Sequence, residues 1–84
     1  MKEFVMSQVL IPELGEGIEK AVVACWHCKV GDQVYEEDDI VELVTDKATF
    51  NVSAGSKGVV KQILIPEGKE AQIGSVLAII EAST

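Results

Sequence analysis

Long apolar runs and helical periodicity are both missing from this 84-residue sequence. No stretch approaches the roughly 20 consecutive apolar residues that a membrane helix needs, and the first residues lack the apolar segment of a secretory signal. No stretch keeps apolar residues at the i, i+3, i+4, i+7 spacing of an amphipathic helix over three turns. The sequence therefore predicts a soluble protein without helices and with no membrane partner.

Basic residues are also scarce, with 7 of them against 14 acidic residues and a net charge of -7. Proteins that bind nucleic acids usually carry the opposite sign of charge, because they neutralise phosphates. We therefore expect no nucleic-acid partner. Four of the acids are consecutive, Glu36 to Asp39, and such a run is typical of a solvated turn.

Metal-binding and redox residues are few. The sequence has one histidine and two cysteines, all within Cys25-Trp26-His27-Cys28. On a β-strand the two cysteines would lie about 10 Å apart and point to opposite faces, whereas the Cα atoms of a disulfide lie within about 7 Å of each other. No second cysteine or histidine pair completes a tetrahedral zinc site. We therefore predict free thiols and no metal site.

Catalytic constellations are absent from the sequence as well. His27 has no partnered serine and no acidic neighbour close by in sequence. Gly15-Glu16-Gly17 is too short for a phosphate-binding loop and is followed by no P-loop lysine. The sequence therefore predicts that the chain is not an enzyme in its own right.

Short strands separated by turns are what the sequence contains instead. Valine and isoleucine are abundant, and glycine- or proline-containing turn signals recur throughout. We predict strands near residues 5–11, 18–30, 33–35, 39–45, 48–53, 58–65, 70–72 and 76–81. This pattern favours an all-β fold, a flattened barrel or sandwich of two small antiparallel sheets. We expect one domain over residues 1–84, with a core from about 9 to 81.

The two halves of the sequence are related by a shift of 37 residues. The shift pairs Gly31 with Gly68, and it pairs Val23 with Val60. It also pairs apolar with apolar residues at other strand positions. Because neither half is large enough to bury a core alone, we predict two similar halves packed face to face around a pseudo-two-fold axis.

One segment breaks the repeat. The strand near Val44 continues through Thr45-Asp46-Lys47-Ala48 into a further strand, whereas the corresponding strand of the second half ends the sequence. We therefore predict that Lys47 lies at the tip of a β-hairpin, with Asp46 favouring the turn through a bond to its own backbone. From these residues alone, an ordinary exposed lysine is the simpler interpretation.

Three segments together carry a family resemblance. They are Ile11-Pro12-Glu13-Leu14-Gly15-Glu16-Gly17-Ile18, Trp26-His27-Cys28-Lys29-Val30-Gly31-Asp32-Gln33-Val34 and Glu42-Leu43-Val44-Thr45-Asp46-Lys47-Ala48. The chain resembles, from about Val9 to Ile80, the lipoyl domains of the dihydrolipoyl acyltransferases in 2-oxo acid dehydrogenase complexes. It departs from the family at Glu37, where a glycine is frequent, and at Gly68-Lys69, where a second Gly-Asp turn is expected.

The resemblance implies a carrier function. Lipoate would be joined as an amide to Lys47, with Asp46 and Ala48 as flanking recognition residues. The implied partners are a lipoate ligase or transferase, a thiamine-diphosphate-dependent decarboxylase, the acyltransferase catalytic domain and dihydrolipoyl dehydrogenase. Four loop residues would contribute to recognition by the decarboxylase: Leu14, Gly15, Glu16 and Gly17.

Two other functions remain open at this stage. A biotinyl carrier has a similar fold, but it usually shows Met-Lys-Met where this sequence has Asp46-Lys47-Ala48. An unmodified interaction module is the second alternative. We further expect a monomeric domain excised from a longer acyltransferase of the bacterial cytoplasm or, alternatively, the mitochondrial matrix. Pyruvate, 2-oxoglutarate and branched-chain 2-oxo acids are all possible substrates of its complex.

Overall fold

The computed structural model describes residues 4–83 of the chain, with side chains described from 5 to 82. Within this part it contains eight β-strands and no helix, and hence no helix that could cross a membrane. The strands are β1 Phe4–Leu10, β2 Lys20–Trp26, β3 Gln33–Val34, β4 Asp39–Val44, β5 Thr49–Ser53, β6 Gly58–Ile63, β7 Glu70–Gln72 and β8 Val76–Ser83.

The strands form two four-stranded antiparallel sheets. One has the order β1-β8-β6-β3 and the other the order β5-β4-β2-β7. Each sheet takes two strands from each half of the sequence, so the two halves interlock, whereas we predicted that they would pack face to face as separate sheets. The predicted all-β fold of two small antiparallel sheets is confirmed.

The 37-residue shift is reproduced in the strand registers. Val23 lies opposite Leu43 in the β2–β4 pair, and Val60 lies opposite Ile80 in the β6–β8 pair. Both pairs have a register irregularity at the same place, directly after Val23 and directly after Val60. The backbone itself therefore repeats, including the irregularity that increases the local twist.

The core lies between the two sheets and is entirely aliphatic. Along most of the strands its side chains alternate with more exposed ones, as expected for a half-buried strand, whereas Ile40-Val41 and Leu77-Ala78 are consecutive buried pairs. Ile40 and Leu77, which the repeat pairs, are both fully buried. The other buried hydrophobic residues are Val9, Ile11, Ala21, Val23, Val34, Val41, Leu43, Val52, Ala54, Val60, Ala78 and Ile80.

Three segments differ from the sequence-based prediction, and one is the strand expected over 58–65, which ends at Ile63 as β6. The strand expected over 18–30 is shorter, since β2 ends at Trp26 and a turn follows. The turn forms because the Asp32 carboxylate accepts a hydrogen bond from the Lys29 backbone N–H at 3.0 Å. At the other end of the chain, β8 extends to Ser83 and pairs with β1 as far as Phe4. The single domain predicted over 1–84 includes residues 1–3 and 84, which lie outside the described residues.

Glu36, Glu37 and Asp38 of the acidic run lie in the turn between β3 and β4, and Asp39 begins β4. All four side chains, Glu36 to Asp39, are exposed. The Asp38 carboxylate accepts a hydrogen bond from the Tyr35 backbone N–H at 2.9 Å. The predicted solvated turn is therefore confirmed.

Candidate functional site

The predicted lysine hairpin is present between β4 and β5. Val44 and Thr49 form the last cross-strand pair, and the backbone N–H of Thr45 donates to the carbonyl of Ala48 at 2.9 Å. The three residues at the tip, Asp46, Lys47 and Ala48, are exposed. The lysine is therefore presented to solvent by two paired strands.

Thr45 is the residue that shapes this turn. Its hydroxyl accepts hydrogen bonds from the backbone N–H groups of Lys47 at 3.2 Å and Ala48 at 3.0 Å. The same hydroxyl is 3.0 Å from the Ala48 carbonyl, to which it can donate. From the sequence we predicted that the Asp46 side chain would hydrogen-bond the backbone of the turn. In the structure the side-chain hydrogen bonds of the turn are those of Thr45. The known preference of threonine for hydrogen bonds to nearby backbone could have indicated this role from the sequence.

The first connecting loop reaches the lysine at Gly17. A Cβ atom on Gly17 would lie 3.6 Å from the Lys47 Nζ, and Gly17 has a φ of +82°. A Cβ at 3.6 Å would make only ordinary contact with the amine, so it is the positive φ that favours glycine at this position. The structure therefore brings Gly17 next to Lys47, although 30 residues separate them in sequence.

The other three loop residues have different surroundings. Leu14 is half-buried and packs against the hydrophobic core. The carbonyl of Gly15 accepts a hydrogen bond from the Ile18 N–H at 3.2 Å, which closes a turn. Glu16 is exposed. Leu14 thus contributes to packing, whereas Glu16 and Gly17 face outward on the loop beside the hairpin.

A shallow groove lies next to the hairpin. It has a volume of about 500 Å³ and is bordered by the end of the first loop, the start of β2 and the residues Val44 to Asp46. Lys20 and Glu70, which form an exposed ion pair of 3.6 Å, belong to the adjoining strands. Within residues 5–82, the ion pairs involve Lys20 and Lys61, and neither involves Lys47.

Both cysteines are free thiols. Desolvation raises the pKa of Cys25, and the carboxylates of Glu42 and Glu67 raise it further. Desolvation also raises the pKa of Cys28, with a contribution from Asp32. Neither thiol therefore has the depressed pKa of a cysteine nucleophile.

The arrangement can present one primary amine for acylation. The amine of Lys47 stands on a hairpin whose turn is held by side-chain and backbone hydrogen bonds. Because the turn is exposed, an enzyme can reach this amine from solvent.

Comparison with known proteins identifies the family. The model of the biotin and lipoyl family, described as "Biotin-requiring enzyme", matches residues 7–80. The chain therefore belongs to this family of biotinyl and lipoyl domains. The predicted resemblance to the lipoyl domains of dihydrolipoyl acyltransferases is confirmed by relatives and by a solved structure.

Two relatives show the kind of protein concerned. Over 75 residues the chain is 39% identical to the dihydrolipoyllysine-residue succinyltransferase component of the 2-oxoglutarate dehydrogenase complex of Buchnera aphidicola from Schizaphis graminum, covering 89% of the chain and 19% of that protein. Over 72 residues it is 33% identical to the acetyltransferase component of the pyruvate dehydrogenase complex of Staphylococcus epidermidis, covering 86% of the chain and 17% of that protein. The chain thus spans less than a fifth of the length of these relatives.

A solved structure matches nearly the whole fold. It is the lipoyl domain of the 2-oxoglutarate dehydrogenase complex of Azotobacter vinelandii, with a TM-score of 0.67 and 32% identity. The match covers 86% of this chain and 94% of that one. The predicted lipoyl carrier domain, rather than an independent enzyme, is therefore supported by sequence and by fold.

Proposed function

We propose that Lys47 is the attachment point of lipoate and that the domain carries the lipoyl group between active sites. The observation that supports this most directly is the exposed lysine at the tip of the β4–β5 hairpin, in a chain of the biotinyl and lipoyl family. The Nζ atom would form an amide with the lipoate carboxyl group. When attached, lipoate supplies the dithiolane that accepts acyl groups and reducing equivalents.

The residues around Lys47 would each contribute to presentation. Thr45 holds the turn through its hydroxyl, so the modifying enzyme meets the lysine in one backbone geometry. The small, exposed side chain of Ala48 leaves room for that enzyme, and Asp46 provides a charge directly beside the lysine. We assign Glu16 and Gly17 to recognition by the decarboxylase, because this loop lies against the lysine.

We further propose the partners that a lipoyl carrier requires. They are a lipoate ligase or transferase, a thiamine-diphosphate-dependent 2-oxo acid decarboxylase, an acyltransferase catalytic domain and dihydrolipoyl dehydrogenase. Relatives that are components of 2-oxoglutarate and pyruvate dehydrogenase complexes support this set. Tethering raises the effective concentration of the carried group at each active site.

The chain matches less than a fifth of the length of its relatives, which supports the proposal that it is one domain of a longer acyltransferase. Since these relatives come from bacteria, we propose the bacterial cytoplasm as its compartment. Relatives from succinyl- and acetyltransferases match at similar identity. The 2-oxo acid would therefore be identified by testing which 2-oxo acid decarboxylase reductively acylates the domain.

The modification is tested by the intact mass of the purified chain. After incubation with ATP, lipoate and lipoate ligase, we expect the mass of one lipoyl group to be added. The variant Lys47→Arg should fold normally and gain no mass, because arginine cannot form the amide. The control Lys69→Arg, in the turn between β6 and β7, should be modified like the original chain. Lipoylation of Lys47→Arg would reject the assignment.

Two further arms separate the alternatives. Parallel incubation with biotin and biotin ligase should give no addition, because Asp46 and Ala48 replace the methionines typical of biotinyl domains. Exchanging Asp46 and Lys47 should abolish modification if the ligase requires the lysine at one place on the hairpin. Biotin addition would assign the domain to a carboxylase, and no addition of either group would favour an unmodified interaction module.

A further inference from the structure

Three side chains able to bind a metal ion lie together on the surface of β2 and β4. They are Cys25, His27 and Glu42. One potential ligand atom of each, the thiol sulfur, a ring nitrogen and a carboxylate oxygen, lies within 4.8 Å of the other two. These residues are separate from the lysine hairpin and have no part in the proposed carrier function.

The sheet brings these residues together in two ways. Cys25 lies on β2, and His27 directly follows the last residue of that strand, where its backbone N–H donates to the Ile40 carbonyl of β4 at 2.8 Å. Glu42 is the direct cross-strand partner of Cys25 in the β2–β4 pair. Cys28 packs against the core, so Cys25 alone supplies the thiol of the cluster.

The distances are close to those of a coordination site. The Cys25 Sγ is 3.9 Å from the Glu42 Oε2. Bond lengths of about 2.0–2.3 Å around a tetrahedral zinc ion place neighbouring donor atoms about 3.5 Å apart. Small side-chain rotations would therefore close the site around an ion. His27 is exposed and the other two residues are partly exposed, so an ion can enter from solvent.

We propose that Cys25, His27 and Glu42 bind a divalent transition-metal ion of the zinc class, with water in the fourth position. A thiolate, an imidazole and a carboxylate form a donor set that suits Zn²⁺ and Co²⁺, whereas Mg²⁺ and Ca²⁺ prefer oxygen ligands alone. Binding requires the thiolate, so the Cys25 proton passes to solvent as the ion binds.

The sequence-based prediction of no metal site considered the motif alone. Cysteine and histidine partners were sought along the sequence, and a second pair is absent. The third ligand comes from the neighbouring strand, 17 positions from Cys25.

The site is tested by titrating the unmodified 84-residue chain with Co²⁺ and then displacing Co²⁺ with Zn²⁺. We expect one ion per chain and a near-ultraviolet charge-transfer band from a thiolate–cobalt bond, which excess Mg²⁺ does not reduce. Cys25→Ser should lose the band, and His27→Gln and Glu42→Gln should each weaken binding by about tenfold or more. Cys28→Ser, the matched thiol control, should keep both the band and the affinity.

A second measurement uses the unaltered chain and so does not depend on variants that fold. Zn²⁺ should slow alkylation of Cys25 by iodoacetamide and leave that of Cys28 unchanged, as read by peptide mass mapping. Equal alkylation of Cys25 with and without Zn²⁺ would overturn the proposal. Cobalt binding that persists in Cys25→Ser, or that Mg²⁺ abolishes, would assign the ion to the acidic surface and would also overturn it. The result is independent of Lys47 modification.

Discussion

At the scale of single residues, the presentation of Lys47 depends on a hydroxyl group that carries no charge and performs no chemistry. The Thr45 side chain satisfies two backbone N–H groups of the turn, including that of the lysine itself. Because no non-glycine residue in the described chain has a positive φ, the turn is formed without the strained backbone of the mirror-image hairpin turns. The turn is therefore held by a side-chain acceptor for its backbone donors and needs no glycine with positive φ.

The role of Thr45 gives a testable prediction. Thr45→Ala should lower the free energy of unfolding by about 1 kcal/mol, because it removes the acceptor for exposed backbone donors. It should also slow lipoylation, since the lysine loses a fixed backbone geometry. Urea unfolding and the initial rate of mass addition measure the two effects.

Thr45→Ser is the control for that experiment, since it keeps the hydroxyl and removes only a methyl group. Its lipoylation rate should remain close to that of the original chain. If Thr45→Ala were lipoylated as fast as Thr45→Ser, the hydroxyl would have no role in presenting the lysine.

At the scale of elements, the close approach of β6 and β8 depends on Gly58. A Cβ atom at this position would overlap the backbone carbonyl of Glu81 and lie 2.8 Å from the Ile80 Cγ2. Gly58 is the first residue of β6 and pairs with Val34. In the sequence this glycine indicated a turn, whereas in the structure it begins a strand where the backbones of neighbouring strands are close. Glycine in a strand often indicates such backbone contact.

We therefore expect Gly58→Ala to lower the free energy of unfolding by about 2 kcal/mol or more, because backbone must move to admit the methyl group. Gln62→Ala, an exposed position on the same strand, should change it by less than about 0.5 kcal/mol. Chemical denaturation of both variants makes the comparison. Equal stability of the two variants would show that the strands can separate at little cost.

At the scale of the whole molecule, each sheet contains strands from both halves of the sequence, and the two sheets share one core. The Nε1 atom of Trp26 donates to the carbonyl of Ile65 at 2.9 Å, which links β2 to the segment after β6 in the other sheet. A molecule connected in this way should unfold as one unit. The repeat further implies that equivalent positions contribute similarly to stability.

Leu43 and Ile80 occupy equivalent, fully buried positions in the two halves. Leu43→Ala and Ile80→Ala should each lower the free energy of unfolding by about 2–5 kcal/mol, because apolar burial is lost and a cavity is left behind. Both variants should show one transition at which circular dichroism and Trp26 fluorescence coincide. Separate transitions for the two signals would indicate that the halves unfold independently.

Much of the architecture was determined by the sequence alone. Alternating apolar residues and recurrent turn signals indicate where strands form, because both depend on neighbours along the chain. The 37-residue repeat predicted that the β2–β4 and β6–β8 pairs would be equivalent, and their registers are. The break in that repeat indicated the position of the Lys47 hairpin. The family resemblance pointed to the lysine and its neighbours, whose roles remain predictions for the experiments above.

Only the tertiary structure decided which distant residues meet. The approach of Gly17 to Lys47, the packing of Leu14 and the overlap that Gly58 avoids all involve segments far apart in sequence. The cluster of Cys25, His27 and Glu42 likewise depends on the register between β2 and β4. A period of two identifies the face on which a side chain lies, but it leaves the cross-strand partner undefined until the strands pair and the core between the sheets is packed.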